Sequence, residues 1–303
     1  MTPEERARAM NEKAAVVISA GLDNLGNTCY MNSVVQCLKR VNELKDGLKT
    51  MRPPTDASQM DPNMMLTLAG GQLMKEIETK DFSYRPMGFV HALRTAYPIF
   101  DEVDDRSRVH KQQDADEALV AILQAMRGPL QRASEDNEDV IGNLFEIEMK
   151  TKYTNTEMPT EVSEQTENVF KLTCTIENGA KPADTMNEGM KLSLKGQLEK
   201  NSESLGRDSV WDKETKVNRL VSNTNTTPLS RANREFCFQP KYLCVNFVRF
   251  YWKQASNTGG TEAGKAKILR NVSFPKVFDI FEFCTDELKE SLLQGRELET
   301  KNR

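Results

Sequence analysis

A cysteine placed where a glycine-punctuated polar turn becomes an amphipathic helix is the strongest chemical feature of this chain. The stretch reads Gly21-Leu22-Asp23-Asn24-Leu25-Gly26-Asn27-Thr28-Cys29-Tyr30-Met31-Asn32. Met31, Val34, Val35 and Leu38 fall at i, i+3, i+4 and i+7 and define one apolar helical face. Asn27 or Thr28 is suited to cap that helix, which puts Cys29 in its first turn. Unpaired backbone N–H groups and the helix dipole favour an anion there. The anionic form of cysteine is the nucleophile. Asn24 lies five residues earlier and carries a side-chain amide able to donate to a developing oxyanion. One such donor is typically worth roughly 3 kcal/mol of transition-state stabilisation. The competing reading is a cysteine that serves as a small buried hydrophobe. Cys37, eight residues on, is expected to face the helix interior as such a residue.

The elements that hold this turn are expected to be helical. Residues 51–63 contain three prolines and read as a loop. A second helix follows, with Met65, Leu68, Ala69, Leu73 and Ile77 on one face. A third starts near Pro86, suited to a first helical position, with Phe89, Val90, Leu93 and Tyr97 as its stripe. A further helix begins at Gln113, with Ala115, Ala118, Leu119, Ile122, Leu123 and Met126 at helical spacing. Its first turn reads Gln112-Gln113-Asp114-Ala115-Asp116-Glu117, and acidic residues suit a helix N-terminus.

After Ser134–Asp139 the period changes. Phe145, Ile147 and Met149 alternate, as do Phe170, Leu172, Cys174 and Ile176, and again Met190, Leu192 and Leu194. Each set is predicted as a strand. Residues 200–235 are polar and are expected to be loop or weak strand. Tyr242–Trp252 reads as a central strand, Gln254–Gly264 as a flexible insert and Ile268–Phe274 as another strand. Thr285 is suited to cap a last helix containing Leu288, Leu292 and Leu293. Residues 1–20 read as a leader with a short helix over Glu4–Ala15. Helices followed by strands predict an α+β fold with segregated halves.

Composition excludes several classes. Apolar residues make up 38% and charged residues 28%, and the mean hydropathy is -0.60. The net charge of -4 gives no electrostatic case for nucleic acid. No run approaches the ~20 apolar residues of a membrane span. None of the six cysteines forms a C-x-x-C pair, so no metal site is expected. Reduced thiols point to a cytosolic or nuclear setting.

The cysteine string, extended through Ser33, Gln36, Cys37 and Leu38, resembles the cysteine box of the ubiquitin-specific proteases, which are papain-like deubiquitinases. Gln112-Gln113-Asp114-Ala115-x-Glu117 is similar to a second motif of that family. Pro240-Lys241-Tyr242-Leu243, leading through Val248-Arg249-Phe250, resembles its strand motif, with Gln239 in place of a leucine. Phe274-Pro275 fits the element that follows. Val41–Asp46 and Phe283-Cys284-Thr285-x-x-Leu288 resemble the proteasome-associated branch.

The resemblance spans about residues 21–295 and implies a papain-like cysteine protease domain over residues 21–303. A helical thumb is expected over 21–133 and β-rich fingers and palm over 140–303. It implies removal of ubiquitin from protein conjugates, with Cys29 as nucleophile and Asn24 in the oxyanion hole. Gln113 and Asp114 are expected at the ubiquitin tail or as supports of its cleft. Ubiquitin and ubiquitinated proteins are the implied partners, the 26S proteasome follows by kinship, and no cofactor is implied. In the family a histidine from a Gly-His-Tyr box completes the site. That box does not occur here, so a partial domain lacking its C-terminal part is expected. The two histidines, His91 and His110, read as ordinary surface residues. The alternative is a catalytically incomplete protein that binds ubiquitin or regulates the proteasome.

Overall fold

Helical spacing of apolar side chains builds the first half of the chain. The computed structural model describes residues 20–80, 82–134, 136–178, 181–220, 240–253 and 264–301. The expected leader helix and the insert up to residue 263 lie outside them, as do residues 221–235 of the expected loop. The chain divides into two compact units between Ile141 and Gly142.

The first unit holds α1 (Cys29–Leu38), α2 (Asn42–Thr50), α3 (Pro62–Thr79), α4 (Met87–Ala96) and α5 (Ala115–Ala133). The face predicted for α1 is buried: Met31, Val34, Val35 and Leu38, joined by Tyr30. It packs against α5, whose buried side carries Ala118, Ile122, Leu123 and Met126. Each such aliphatic side chain contributes about 1.5–3 kcal/mol when removed from water. At the centre, α3 packs against α2, α4 and α5. Gly71 lets α3 approach the Leu48 carbonyl so closely that a Cβ there would collide with it. Asp61 caps α3 by accepting from the Met64 N–H at 2.7 Å, with Pro62 in the first position. Pro86 occupies the cap position of α4, one residue ahead of the predicted first position.

A short helix α6 (Val140–Phe145) crosses the division. The second unit follows with β1 (Ile147–Asn155), β2 (Val162–Val169), β3 (Leu172–Thr175), β4 (Glu177–Asn178), β5 (Lys181–Pro182) and α7 (Met186–Leu194). Then come β6 (Lys195–Ser202), β7 (Arg207–Leu220), β8 (Val245–Val248), β9 (Phe250–Lys253), β10 (Gly264–Lys267) and α8 (Asp286–Lys301). An antiparallel sheet orders its strands β2-β1-β7-β6. Its register places Met149 opposite Val217 and Thr151 opposite Thr215, whose hydroxyls are 2.9 Å apart. Ile147, Met149, Leu172, Cys174, Met186, Met190, Val217, Phe283 and Cys284 form the core of this unit. The class is α+β, as the order of periods predicts. No helix among the described residues is long and apolar enough to cross a membrane.

Three expected elements differ, and a fourth takes one of its two alternatives. Met190, Leu192 and Leu194 lie on α7, not on a strand. Thr185 and Glu188 form a complete capping box that starts this helix. The helix buries Met186, Gly189 and Met190, a helical spacing. Residues 200–220, expected as loop or weak strand, are mostly strand: they belong to a hairpin of β6 and β7, with Ser209, Trp211, Thr215 and Val217 buried on one face. The run Tyr242–Trp252 is two short strands with different partners. β8 runs parallel to β3, and β9 pairs with β10. Arg249 marks the switch, with its carbonyl accepting from the Ile268 N–H at 2.7 Å. Ile268–Phe274 makes no ladder beyond a bridge at Ser273, and Leu269 and Phe274 are exposed.

Candidate functional site

The lead-in to Cys29 is tied down before the turn begins. Tyr84 N–H donates to Gly21 O and Asp23 N–H donates to Tyr84 O, each at 2.9 Å. From α1, Asn32 Nδ2 donates to Asp23 O at 3.0 Å and to Leu22 O at 3.3 Å. Gln36 Nε2 reaches Ala20 O at 3.2 Å. Cys29, Asn32 and Gln36 fall at i, i+3 and i+7, so the helix side that carries the thiol also grips the segment preceding it.

Between Asp23 and Cys29 the chain turns through two left-handed residues, Gly26 (φ 92°) and Asn27 (φ 54°). Glycine takes this conformation freely, and asparagine is among the residues that tolerate it. Asn24 organises the turn. Its Oδ1 accepts from the Thr28 N–H at 3.0 Å, the Gly26 N–H at 3.2 Å and the Thr28 hydroxyl at 3.2 Å. The carbonyl end of the amide is thereby fixed. The Nδ2 end donates to no described residue, and Asn24 is exposed. The orientation leaves an amide donor at the surface beside the helix start.

The capping expected of Asn27 or Thr28 is not made. Thr28 stands at the cap position, but its side chain forms no cap hydrogen bond. It is buried and accepts from the Leu25 N–H at 2.9 Å while donating to Asn24. Asn27 Nδ2 donates instead to His110 O at 2.8 Å. The Cys29 N–H, at the first helical position, has no acceptor among the described residues. Cys29 is the first residue of α1 and its thiol is exposed and free. An exposed thiol, an open backbone donor and an open amide donor thus share one helix end, an arrangement that suits attack on a carbonyl and retention of the resulting oxyanion.

A second loop closes on this turn. The Lys111 N–H donates to Glu102 O at 2.8 Å, and Gln113 Nε2 donates to Ile99 O at 2.7 Å. Between them, the Gln112 amide lies against Cys29, with Nε2 at 3.4 Å and Oε1 at 3.5 Å from Sγ. Of the two adjacent glutamines, the one expected at the site holds the loop and the other meets the sulfur. Asp114 is the cap of α5, accepting from the Asp116 N–H at 2.9 Å, so that helix begins at Ala115 and not at Gln113.

His110 comes to the turn through its backbone. Its Nδ1 lies 3.3 Å from Asp101 O and 3.7 Å from Asp101 Oδ1. His91 is exposed on α4. Neither histidine hydrogen-bonds Cys29. Cys37 is exposed, not turned inward, because it continues the polar side of α1 four residues after exposed Ser33.

Residues 20–297 match the family model described as ubiquitin carboxyl-terminal hydrolase. The chain is 37% identical over 284 residues to ubiquitin carboxyl-terminal hydrolase 6 of Arabidopsis thaliana, covering 92% of this chain and 52% of that protein. It is 35% identical over 296 residues to ubiquitin carboxyl-terminal hydrolase 7 of the same plant, covering 97% and 54%. It is 31% identical over 303 residues to ubiquitin carboxyl-terminal hydrolase 14 of Caenorhabditis elegans, covering 96% and 53%. The chain spans about half the length of these curated relatives.

Proposed function

The chain belongs to the ubiquitin carboxyl-terminal hydrolase family, and we propose that it serves as the thiol-bearing part of an enzyme that removes ubiquitin from protein conjugates. Cys29 Sγ attacks the carbonyl carbon of ubiquitin's terminal glycine. The carbonyl oxygen becomes an oxyanion held by Asn24 Nδ2 and the Cys29 N–H. Collapse expels the amine and leaves a thioester, which water hydrolyses. By resemblance, proton transfer belongs to a histidine of the box this sequence does not contain. Gln113 and Asp114 act as supports of the cleft, since one holds Ile99 O and the other caps α5.

The observation that carries this reading is the polarity of Asn24. Its acceptor end is engaged by the turn, which leaves its donor end beside an exposed nucleophile. The test is a ubiquitin probe bearing a C-terminal electrophile. Labelling lost in Cys29→Ala and kept in Cys37→Ala supports the hydrolase. One observation favours a second reading, a ubiquitin-binding domain without turnover: the His110 ring is engaged by Asp101 and no described histidine reaches the sulfur. Probe binding without labelling supports that one. The 26S proteasome as a partner rests on the resemblance of Val41–Asp46 and Phe283–Leu288. A cytosolic or nuclear setting is supported by the described cysteines being free thiols.

A further inference from the structure

We propose that Gln112 is a positioning residue for the nucleophile, holding the Cys29 sulfur with its carboxamide edge in either protonation state. The inference rests on Cys29 being the nucleophile and names a partner for it. Both ends of the amide are within reach of Sγ, Nε2 at 3.4 Å and Oε1 at 3.5 Å. The sulfur therefore faces the edge between them. A protonated thiol donates its S–H to Oε1. When that proton leaves, the thiolate accepts from Nε2–H without the side chain having to move. Exchange of the two amide ends preserves the same pairing. Nε2 also lies 3.5 Å from Gln113 O, a weaker alternative.

The loop makes this contact a built one. Gln112 sits between three bonds that fix the backbone: Asn27 Nδ2 to His110 O, Lys111 N–H to Glu102 O, and Gln113 Nε2 to Ile99 O. Ordering a glutamine on a free loop costs both backbone and rotamer entropy, and a prefixed backbone leaves only the rotamers to be ordered. One of those bonds comes from Asn27, in the same turn that presents the thiol, so nucleophile and partner are referenced to one another. Hydrogen bonding to the charged form of a group favours that form.

The experiment is the pH dependence of iodoacetamide alkylation at Cys29, followed on the full chain by mass spectrometry of the peptide that contains it. Gln112→Leu keeps the size and removes the hydrogen bonds. Its midpoint is expected above that of the unsubstituted chain, because the bond to the charged sulfur is the stronger of the two that are lost. Below both midpoints it reacts more slowly, although the more basic thiolate regains part of the loss in nucleophilicity. Gln112→Glu sets a negative charge beside the sulfur and moves the midpoint further up. Gln113→Leu loosens one of the three loop anchors but keeps the Gln112 amide, so its midpoint rises by less than that of Gln112→Leu. Coincident midpoints for Gln112→Leu and the unsubstituted chain overturn the inference, as does an equal shift in Gln113→Leu. The midpoint is read without ubiquitin, so the two proposals fail separately. Coincident midpoints with probe labelling intact reject Gln112 alone, and shifted midpoints without labelling reject the hydrolase alone.

Discussion

Cys29 and Cys284 are free thiols of one chain in opposite settings. Cys284 is fully buried, its Sγ 3.4 Å from Ile280 O, and burial pushes it up to about 11. Cys174, in the same core, is raised chiefly by burial and packs against Gly189. Cys29 stands exposed at a helix start, against an amide and beside two open donors. The helix ends differ in the same way. At α7, Thr185 and Glu188 seal the first turn by satisfying each other's backbone N–H groups. At α1, the residue in that position turns its hydroxyl back into the preceding loop, and the Cys29 N–H has no acceptor among the described residues, whereas the Met186 N–H at the start of α7 donates to Ser273 O. A sealed helix end adds stability to the second unit. An open one gives the first unit a place where negative charge can be received, so the groups left unsatisfied locate the chemistry.

The largest effect expected from this contrast is at the sulfurs. Cys29→Ala abolishes probe labelling and leaves the thermal unfolding midpoint in place, because an exposed side chain is lost. Cys284→Ala does the reverse: labelling stays, and stability falls by about 1–2 kcal/mol through the lost packing. Labelling that survives in Cys29→Ala breaks the comparison outright.

Asn24→Asp sharpens it. Aspartate keeps the oxygen that the Gly26 and Thr28 N–H groups require and removes the donor. Turnover of a ubiquitin conjugate should fall about 10²–10³-fold. The unfolding midpoint should hold. An equal loss of stability and activity instead assigns Asn24 to the turn alone.

Gly189→Ala probes the closed side. A Cβ there collides with the Cys174 sulfur and lies 2.9 Å from Thr175 O, a backbone atom that cannot swing aside. The expected cost is about 1–3 kcal/mol in denaturant unfolding. Labelling of the folded fraction should be unchanged, since Gly189 belongs to the second unit and Cys29 to the first.

Much of the first unit was legible because its signals are local and repeated. The i, i+3, i+4, i+7 face of α1 is buried as its spacing predicts. The second unit misled where a short pattern fits two periods. Met190, Leu192 and Leu194 alternate, yet the capping pair Thr185 and Glu188 upstream was the stronger signal and starts a helix. The hairpin of β6 and β7 reads only as loop or weak strand because its buried face includes Ser209 and Thr215, of which Thr215 is paired across the sheet with Thr151. Gln112 escaped notice for a different reason. Adjacent side chains of a non-helical segment point to different sides, and composition cannot say which of two neighbouring glutamines faces the thiol. Only the anchors at Glu102 and Ile99, remote in sequence, decide it.

The smallest effect vanishes at neutral pH and tests the buried thiol directly. Cys284 titrates at about 11 in the fold, against about 9 for an ordinary thiol. Below pH 9 both folded and unfolded chains keep the proton, and its contribution to stability is constant. Between about 9 and about 11 the unfolded chain loses that proton while the folded chain retains it, so rising pH favours unfolding. The denaturant midpoint of the unsubstituted chain should therefore fall more steeply over that interval than that of Cys284→Ala. Other alkaline groups, Tyr30 and Cys174 among them, are raised by burial as well and titrate in both proteins. The difference between the two curves isolates Cys284. Parallel curves would mean that water reaches this sulfur, and the contrast with Cys29 would then rest on the open donors alone.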